Sequence, residues 1–345
     1  MASPSLTDTT AAPAVLQQAR SLTVPALRQA IATLHPRLAQ VAGYHCGLTD
    51  QHGRPAPARV GKMLRPALVF LSARSTGVPA ERLASEGVVA GAVAVQLVHE
   101  FSLLHDDIMD RDRTRRGRPT AWAVHGVDTA LLAGDALLAL AVSTLAEHPQ
   151  AEAVLAEAVV GLCAGQADDL AFETRTTVTV ADWERMAIGK TGGLICAACQ
   201  LGALLTEADS RAIAVLGTAG TQLGLAFQAM DDWLGIWGDP KVTGKPAGAD
   251  VAARKRSLPI VVTLTDADPA AQRLAAILAT DGELTTDDLA AATTALERTN
   301  AGQTTSRHAR QHTDRARDAI AALTIPSDVR REWDHLISFL ITRAT

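Results

Sequence analysis

The sequence predicts an all-α protein, a single-domain multi-helix bundle in which central helices are wrapped by outer ones. Three observations carry that expectation. Apolar residues recur at helical spacing along nearly the whole chain, and no segment shows the period-two alternation of a half-buried strand. Of 345 residues only five Trp, five Phe and one Tyr are aromatic while Ala and Leu recur throughout, a composition that suits helices better than a β sandwich. Segments such as EGVVAGAVAVQLVHEFSLLH (86–105) and LLAGDALLALAVSTLA (131–146) are apolar on nearly every face, so other helices must surround them.

In chain order, residues 1–22 read as a disordered polar tail, with neither a basic n-region nor a compact apolar run, and residues 23–345 as one folded domain. Helices are predicted over roughly 24–46, 61–75, 79–108, 119–146, 150–172, 180–204, 208–236, 257–280, 285–324 and 327–343. Breakers separate them: HGRPAPARVG leading into residue 61, STGVP near 77, AEHPQ near 148 and GDPKVTGKPAGAD over 238–250. The last is too polar for core and too flexible for scaffold, and it reads as a lid.

Composition excludes several classes. A net charge of −5 argues against a nucleic-acid-binding surface, so no nucleic-acid partner is expected. No run of about 18 uninterrupted apolar residues occurs, so no integral membrane segment is predicted. Cys46, Cys163, Cys196 and Cys199 are too scattered for a disulfide framework. The CxxC pair 196/199 lies in the apolar run LICAACQLGALL and reads as small buried thiols rather than a redox or zinc site. That usage fits a reducing cytosol, and the expected location is cytoplasmic.

Chemistry concentrates at two acidic helix ends. In LLHDDIMDRDRTRRGRP, Asp106 and Asp110 are four apart and share a helix face, with Asp107 beside them. In LGLAFQAMDDWLGIWGD, Asp231 and Asp232 end a second apolar helix and Asp239 follows in the loop. Either cluster alone reads equally well as a solvated helix end. Two such clusters, each followed by basic residues, point instead to a hard divalent cation held by oxygen, Mg²⁺ above all. Arg115, Arg116 and Arg118 follow the first cluster, Lys245 and Lys255 follow the second, and GKMLRP supplies Lys62 and Arg65. Metal ions with Lys and Arg clamps suit a polyphosphate ligand. Neither a GxxxxGK[ST] loop nor a GxGxxG turn after a strand is present, so the ligand reads as a diphosphate on an apolar tail rather than a nucleotide.

GKMLRP (61–66), VHEFSLLHDDIMDRDRTRRGRPT (98–120), GQADDLAFE (165–173), KTGGLI (190–195) and FQAMDDWLGIWGDPKVTGKPAGAD (227–250) together resemble, in order, the motifs of the trans-isoprenyl diphosphate synthase (polyprenyl synthetase) family. The resemblance runs over roughly residues 55–262, with a looser fit through the C-terminal helices. It implies an isoprenoid-synthase fold around a deep apolar cavity, usually as a homodimer, with Mg²⁺ held by both aspartate regions and three ions when substrate is bound. By the same resemblance Asp106, Asp110 and Asp231 are the principal metal ligands, supported by Asp107 and Asp232. Arg115, Lys190 and Lys245 would hold an allylic diphosphate, with Lys255 a further basic residue of that region. Lys62, Arg65, His99 and Arg116 would hold isopentenyl diphosphate. Thr191 and Gln228 would line the reacting region, and Gln166 and Asp169 lie near it. The activity implied is chain elongation, in which the allylic diphosphate ionises and isopentenyl diphosphate adds to the cation.

Two positions depart from the family pattern. Gly235 stands where many members carry a third Asp, leaving metal binding there to Asp231 with Asp239 or water, and Met63 stands where Arg is frequent. Chain length in this family is set by bulky residues just upstream of the first aspartate region. Phe101 stands five residues before Asp106, about 7.5 Å along the helix, and Ser102 is small, a pattern resembling geranylgeranyl diphosphate synthases more than farnesyl ones. A terpene cyclase on the same scaffold and a non-catalytic partner subunit are the rival readings. A cyclase has no need of Lys62, Arg65 and His99, and an idle subunit would not be expected to keep Asp106 and Asp110.

Overall fold

The computed structural model describes residues 13–57, 60–175, 177–240, 246–266 and 268–341. Helices dominate, as expected. Among the described residues, extended structure is confined to an isolated bridge between Thr49 and Pro55 and a hairpin of β1 (Thr114–Arg115) with β2 (Arg118–Pro119). The hairpin escapes a sequence reading because its strands are too short for any periodicity. Its turn residues Arg116 and Gly117 have φ of 51° and 70°, the two positive values of a type I′ connection.

The chain packs as two compact units, Met1–Val159 with Leu194–Gly217 and Ile320–Leu336, and Val160–Gly193 with Thr218–Ala319 and Ile337–Thr345. Neither is contiguous in sequence, which is why no linker marks a division.

In the first unit, α1 (Ala14–Ala32) begins inside the stretch expected to be a disordered tail. Val15, Ala19, Thr23, Leu27 and Ile31 fall at four-residue steps and are all buried, so an apolar stripe extends the helix past Pro25, which breaks the ladder but not the face. The helix expected over 24–46 is therefore two, α1 and α2 (Pro36–His45). α3 (Leu64–Ser75) and a short α4 (Ala80–Leu83) precede α5 (Glu86–Met109), which packs on α3, on α1 and most extensively on α7 (Val127–Ser143). α5 buries residues on nearly all its faces, among them Val88, Ala92, Val95, Leu97, Val98 and Leu104. A five-residue α6 (Ala121–His125) is split from α7 by Gly126, at φ 85°. Arg74 of α3 pairs with Asp328 and Glu332, and Trp333 Nε1 donates to Ser75 Oγ at 2.9 Å, which ties the C-terminal helix to α3.

α8 (Pro149–Phe172) leads into the second unit, where α9 (Val180–Ala187) opens with a capping box: Asp182 N donates to Thr179 Oγ1, and Thr179 N donates to Asp182 Oδ2. α9 runs into a π-helical turn, Ile188–Gly192, and on into α10 (Gly193–Leu204). A Cβ on Gly165 of α8 would overlap the backbone of Lys190, and one on Gly224 would overlap Gly192, so bare backbones of α8 and α11 (Ser210–Trp237) grip the turn. After α12 (Ala249–Ala252), α13 (Leu258–Leu264) closes a core with Phe172, Trp183, Met186, Leu225 and Met230. α14 (Pro269–Leu278), α15 (Thr286–Arg298), α16 (Ala301–Ala321) and α17 (Ser327–Ile341) complete the chain.

Helix length and composition correct one expectation. Glu86–Met109, Val180–Leu204 and Ser210–Trp237 are long and apolar enough to cross a membrane once a few polar residues are tolerated. Their apolar windows are 72%, 61% and 56% buried inside the protein, so most of that surface is used in packing.

Candidate active site

In each acidic pair the first residue faces outward and the second is an anchor. Asp106 is half-buried and Asp110, the C-cap of α5, is exposed, whereas Asp107 is 1% exposed. Asp107 Oδ1 accepts from Arg115 Nε at 2.7 Å, which fixes the hairpin to the helix end, and its buried Oδ2 has no hydrogen-bond partner. Burial pushes this carboxyl up to about 6 against the pull of Arg115.

Asp231 is likewise exposed, and Asp232 is buried. Asp232 Oδ2 accepts from Trp183 Nε1 at 2.8 Å and from Leu258 N at 2.7 Å, and Oδ1 accepts from Gln228 Nε2 at 2.8 Å. Burial, then the neighbouring charge of Asp250, pushes its carboxyl up to about 8. With three protein donors on its two oxygens, Asp232 joins α9, α11 and α13. The chain continues through Gln228, whose Oε1 accepts from Thr191 Oγ1 at 2.6 Å. Beside it in the π turn, Lys190 Nζ pairs with Asp169 Oδ2 at 2.6 Å. Gln166 is buried with neither amide atom hydrogen-bonded.

Glu100, a buried carboxylate that the sequence reading passed over, anchors Arg116 in the first unit. Arg116 NH2 donates to Glu100 Oε1 at 3.2 Å, Gln96 Nε2 donates to the same oxygen at 2.7 Å, and His45 Nε2 lies 3.4 Å from Oε2. Burial lowers the Arg116 guanidinium, but the charge and hydrogen bond of Glu100 more than offset that. Burial, opposed by Glu100, brings Arg65 down to about 10, and its buried Nε has no partner. His99 is held neutral, first by burial and then by the charges of Arg65, Arg116 and Arg115. Three guanidiniums therefore bear on one imidazole. A charged residue inside the apolar run VHEFSLL was the available signal for Glu100.

Met63 caps α3 with φ 55° and a buried side chain, so the turn that presents Lys62 and Arg65 is held in a left-handed conformation. Arg118 NH2 donates to Tyr44 O at 3.0 Å and stacks on that ring, fastening the hairpin to α2. Phe101 is buried and meets His105 edge to face at 4.8 Å, while Ser102 Oγ donates to His99 O. His105 packs over Gly134 of α7, with Nε2 3.1 Å from Leu131 O.

A second residue missed by sequence reasoning answers the Gly235 departure. The side-chain space above Gly235 holds the carboxylate of Asp250, the last residue of the expected lid. Lys255 follows, its N donating to Asp250 O at 2.9 Å. Lys245 lies outside the described residues. In the first unit Asp106 and Asp110, and in the second Asp231 and Asp250, offer carboxylate oxygen, the donor chemistry that suits Mg²⁺.

The fold is all-α, with an exposed aspartate at a helix end in each unit and, in the first, an arginine held on a buried carboxylate. Comparison with known proteins identifies it further. Residues 54–296 match the family model for polyprenyl synthetase. The chain is 42% identical over 337 residues to a (2E,6E)-farnesyl diphosphate synthase of Mycobacterium tuberculosis, covering 95% of this chain and 92% of that one. It is 43% identical over 341 residues to a geranylgeranyl diphosphate synthase of the same organism, covering 96% and 93%. A crystal structure of a polyprenyl synthetase from Streptomyces coelicolor superposes with a TM-score of 0.87 at 42% identity, covering 96% of this chain and 99% of that one. The chain belongs to the polyprenyl synthetase family, among its short-chain prenyl diphosphate synthases.

Proposed function

We propose that this enzyme condenses isopentenyl diphosphate with an allylic diphosphate to give geranylgeranyl diphosphate. The observation that carries elongation is the arginine pair of the first unit, Arg116 held on buried Glu100 and Arg65 buried under the charge of the same carboxylate, beside neutral His99. Such a set suits a second diphosphate, which a cyclase does not take up.

Arg65 and Arg116 grip the isopentenyl diphosphate with His99 and Lys62, and Glu100 orients Arg116. Arg115, braced by Asp107, and Lys190, braced by Asp169, hold the allylic diphosphate with Lys245. Asp106, Asp110 and Asp231 would supply oxygen ligands for Mg²⁺, expected as three ions with substrate bound, with Asp250 in support. Asp107 and Asp232 act as positioning residues. When bound, Mg²⁺ neutralises charge on the departing diphosphate and so favours ionisation of the allylic C–O bond. Lys and Arg donors stabilise the same developing charge. The isopentenyl double bond then adds to the allylic cation and a proton leaves, taken up by the released diphosphate.

The product length rests on Phe101, with Ser102 leaving room one residue on. The two mycobacterial relatives make different products by name and differ by one percentage point in identity, so likeness alone does not choose. We further propose a homodimer through α7, where Val127, Leu131 and Leu132 are 46%, 45% and 56% exposed. The cytoplasm is the proposed location, on the four free cysteines.

Purified enzyme with labelled isopentenyl diphosphate and each allylic primer in turn, followed by sizing of the dephosphorylated alcohols, tests the reading. A twenty-carbon main product is expected. A fifteen-carbon one would replace it with farnesyl synthesis, and hydrocarbon released from geranylgeranyl diphosphate alone would favour cyclisation.

A further inference from the structure

Away from the aspartate pairs, α9 and α16 bring together Glu184, His308 and His312. His308 and His312 are four residues apart and share one face of α16. One ligand atom from each of the three residues lies within 4.8 Å of the others. His312 is 3% exposed, and its Nε2 stands 3.9 Å from Glu184 Oε1, too long for a hydrogen bond. On its other side, Nδ1 meets Gln222 Oε1 at 2.8 Å. With the amide oxygen as acceptor, Nδ1 carries the proton and the Nε2 lone pair is turned toward Glu184, the second-sphere arrangement of a metal-bound histidine. His308 and Glu184 are half-buried, which leaves solvent access to the cluster.

We propose that Glu184, His308 and His312 form a transition-metal site, with Zn²⁺ the fitting ion. Two imidazoles and one carboxylate are a borderline-soft set that Mg²⁺ does not favour and Zn²⁺ does. Tetrahedral bonds of about 2.0–2.1 Å place donor atoms about 3.3 Å apart, so the side chains need only a modest contraction. Both imidazoles are held neutral, the ligating form: burial, with Arg315 and His308 adding, brings His312 down to about 4, and burial lowers His308 with Arg307 and Arg315 adding against Glu184. A bound ion clamps α9 to α16, and α9 leads directly into the turn that carries Lys190 and Thr191. The site bridges two helices with its fourth position left to water, and it does not depend on the prenyl-transfer reading.

The test uses full-length protein stripped by chelator, kept in excess Mg²⁺ without substrate, and titrated with Co²⁺ and then Zn²⁺. One Co²⁺ per chain with the strong visible bands of a four-coordinate nitrogen and oxygen site is expected, displaced by Zn²⁺, with a raised thermal midpoint in Zn²⁺. Glu184→Gln should weaken binding at least about tenfold and His308→Ala should abolish the bands. Both replaced side chains are partly exposed, so these variants carry the test even if His312→Ala does not fold. Absence of the bands in wild type, or bands and midpoint shift unchanged in E184Q and H308A, would overturn the proposal.

Discussion

A Cβ placed on Gly235 would lie 2.7 Å from Oδ1 of Asp250 and closer still to its other oxygen. Where many relatives carry an acidic group on this helix position, the space is here filled by the carboxylate of Asp250 from α12, so a side chain at 235 would have to displace it. Restoring the customary residue in Gly235→Asp should therefore lower activity at least about tenfold, because two carboxylates would crowd one space and repel. Asp250→Ala should raise the Mg²⁺ concentration needed for half-maximal rate by about 10–100-fold. Rates measured across a Mg²⁺ series check both. A G235D enzyme as active as wild type would show that Asp250 does not occupy the role.

Asp232 makes a second prediction, on stability. Its oxygens accept from Trp183, Leu258 and Gln228, so Asp232→Ala leaves two buried donors and one half-buried donor unpaired and should cost about 3 kcal/mol or more. Asp232→Asn should cost about 1 kcal/mol or less, because the network can reverse. The Asn oxygen keeps Trp183 and Leu258, its NH₂ donates to a flipped Gln228, and Gln228 donates to Thr191, whose hydroxyl accepts as readily as it donates. Urea melts distinguish the two variants, and equal losses would deny the reversal.

The motifs made the fold class and the identity of the acidic and basic residues legible, since both depend on residue type and spacing along one helix. The four-residue spacing set Asp106 apart from Asp107, and the resemblance cast Asp107 and Asp232 as supporting residues, but what each of those two holds was not legible. Asp107 is paired with Arg115 by a hairpin too short to show periodicity. The placement of the Asp250 carboxylate over Gly235 was hidden for a similar reason, because proximity across a loop leaves no periodic trace. α1 starts within the expected polar tail because its buried stripe from Val15 to Ile31 is spaced every four residues and shows no compact apolar run.

Stability should fall in acid through His45. Burial pushes its folded pKa down to about 4, against Glu100, from an ordinary 6.5. The unfolded chain thus binds the proton more readily, so this contribution is complete above pH 6.5 and is lost as pH falls through 4. The loss should be on the order of 3 kcal/mol between pH 7 and pH 4. His45→Gln should flatten that part of the profile while keeping a polar neighbour for Glu100. Denaturant midpoints across the range provide the measurement, and identical slopes would place the acid sensitivity elsewhere.

Product length should respond to Phe101. The ring is 7% exposed, leans edge to face on His105, and lies about 7.5 Å down α5 from Asp106. His105 is seated over Gly134 with its Nε2 at Leu131 O, so it is not free to swing into the space that Phe101→Ala opens. The vacated volume should then go to the growing chain, giving a main product at least one five-carbon unit longer. Removing a buried ring should also cost about 3 kcal/mol or more, so products must be sized below the variant's melting temperature. Phe101→Met, which refills most of the volume, should keep the wild-type product. An unchanged distribution in F101A would mean that Phe101 is core and that the floor is formed elsewhere.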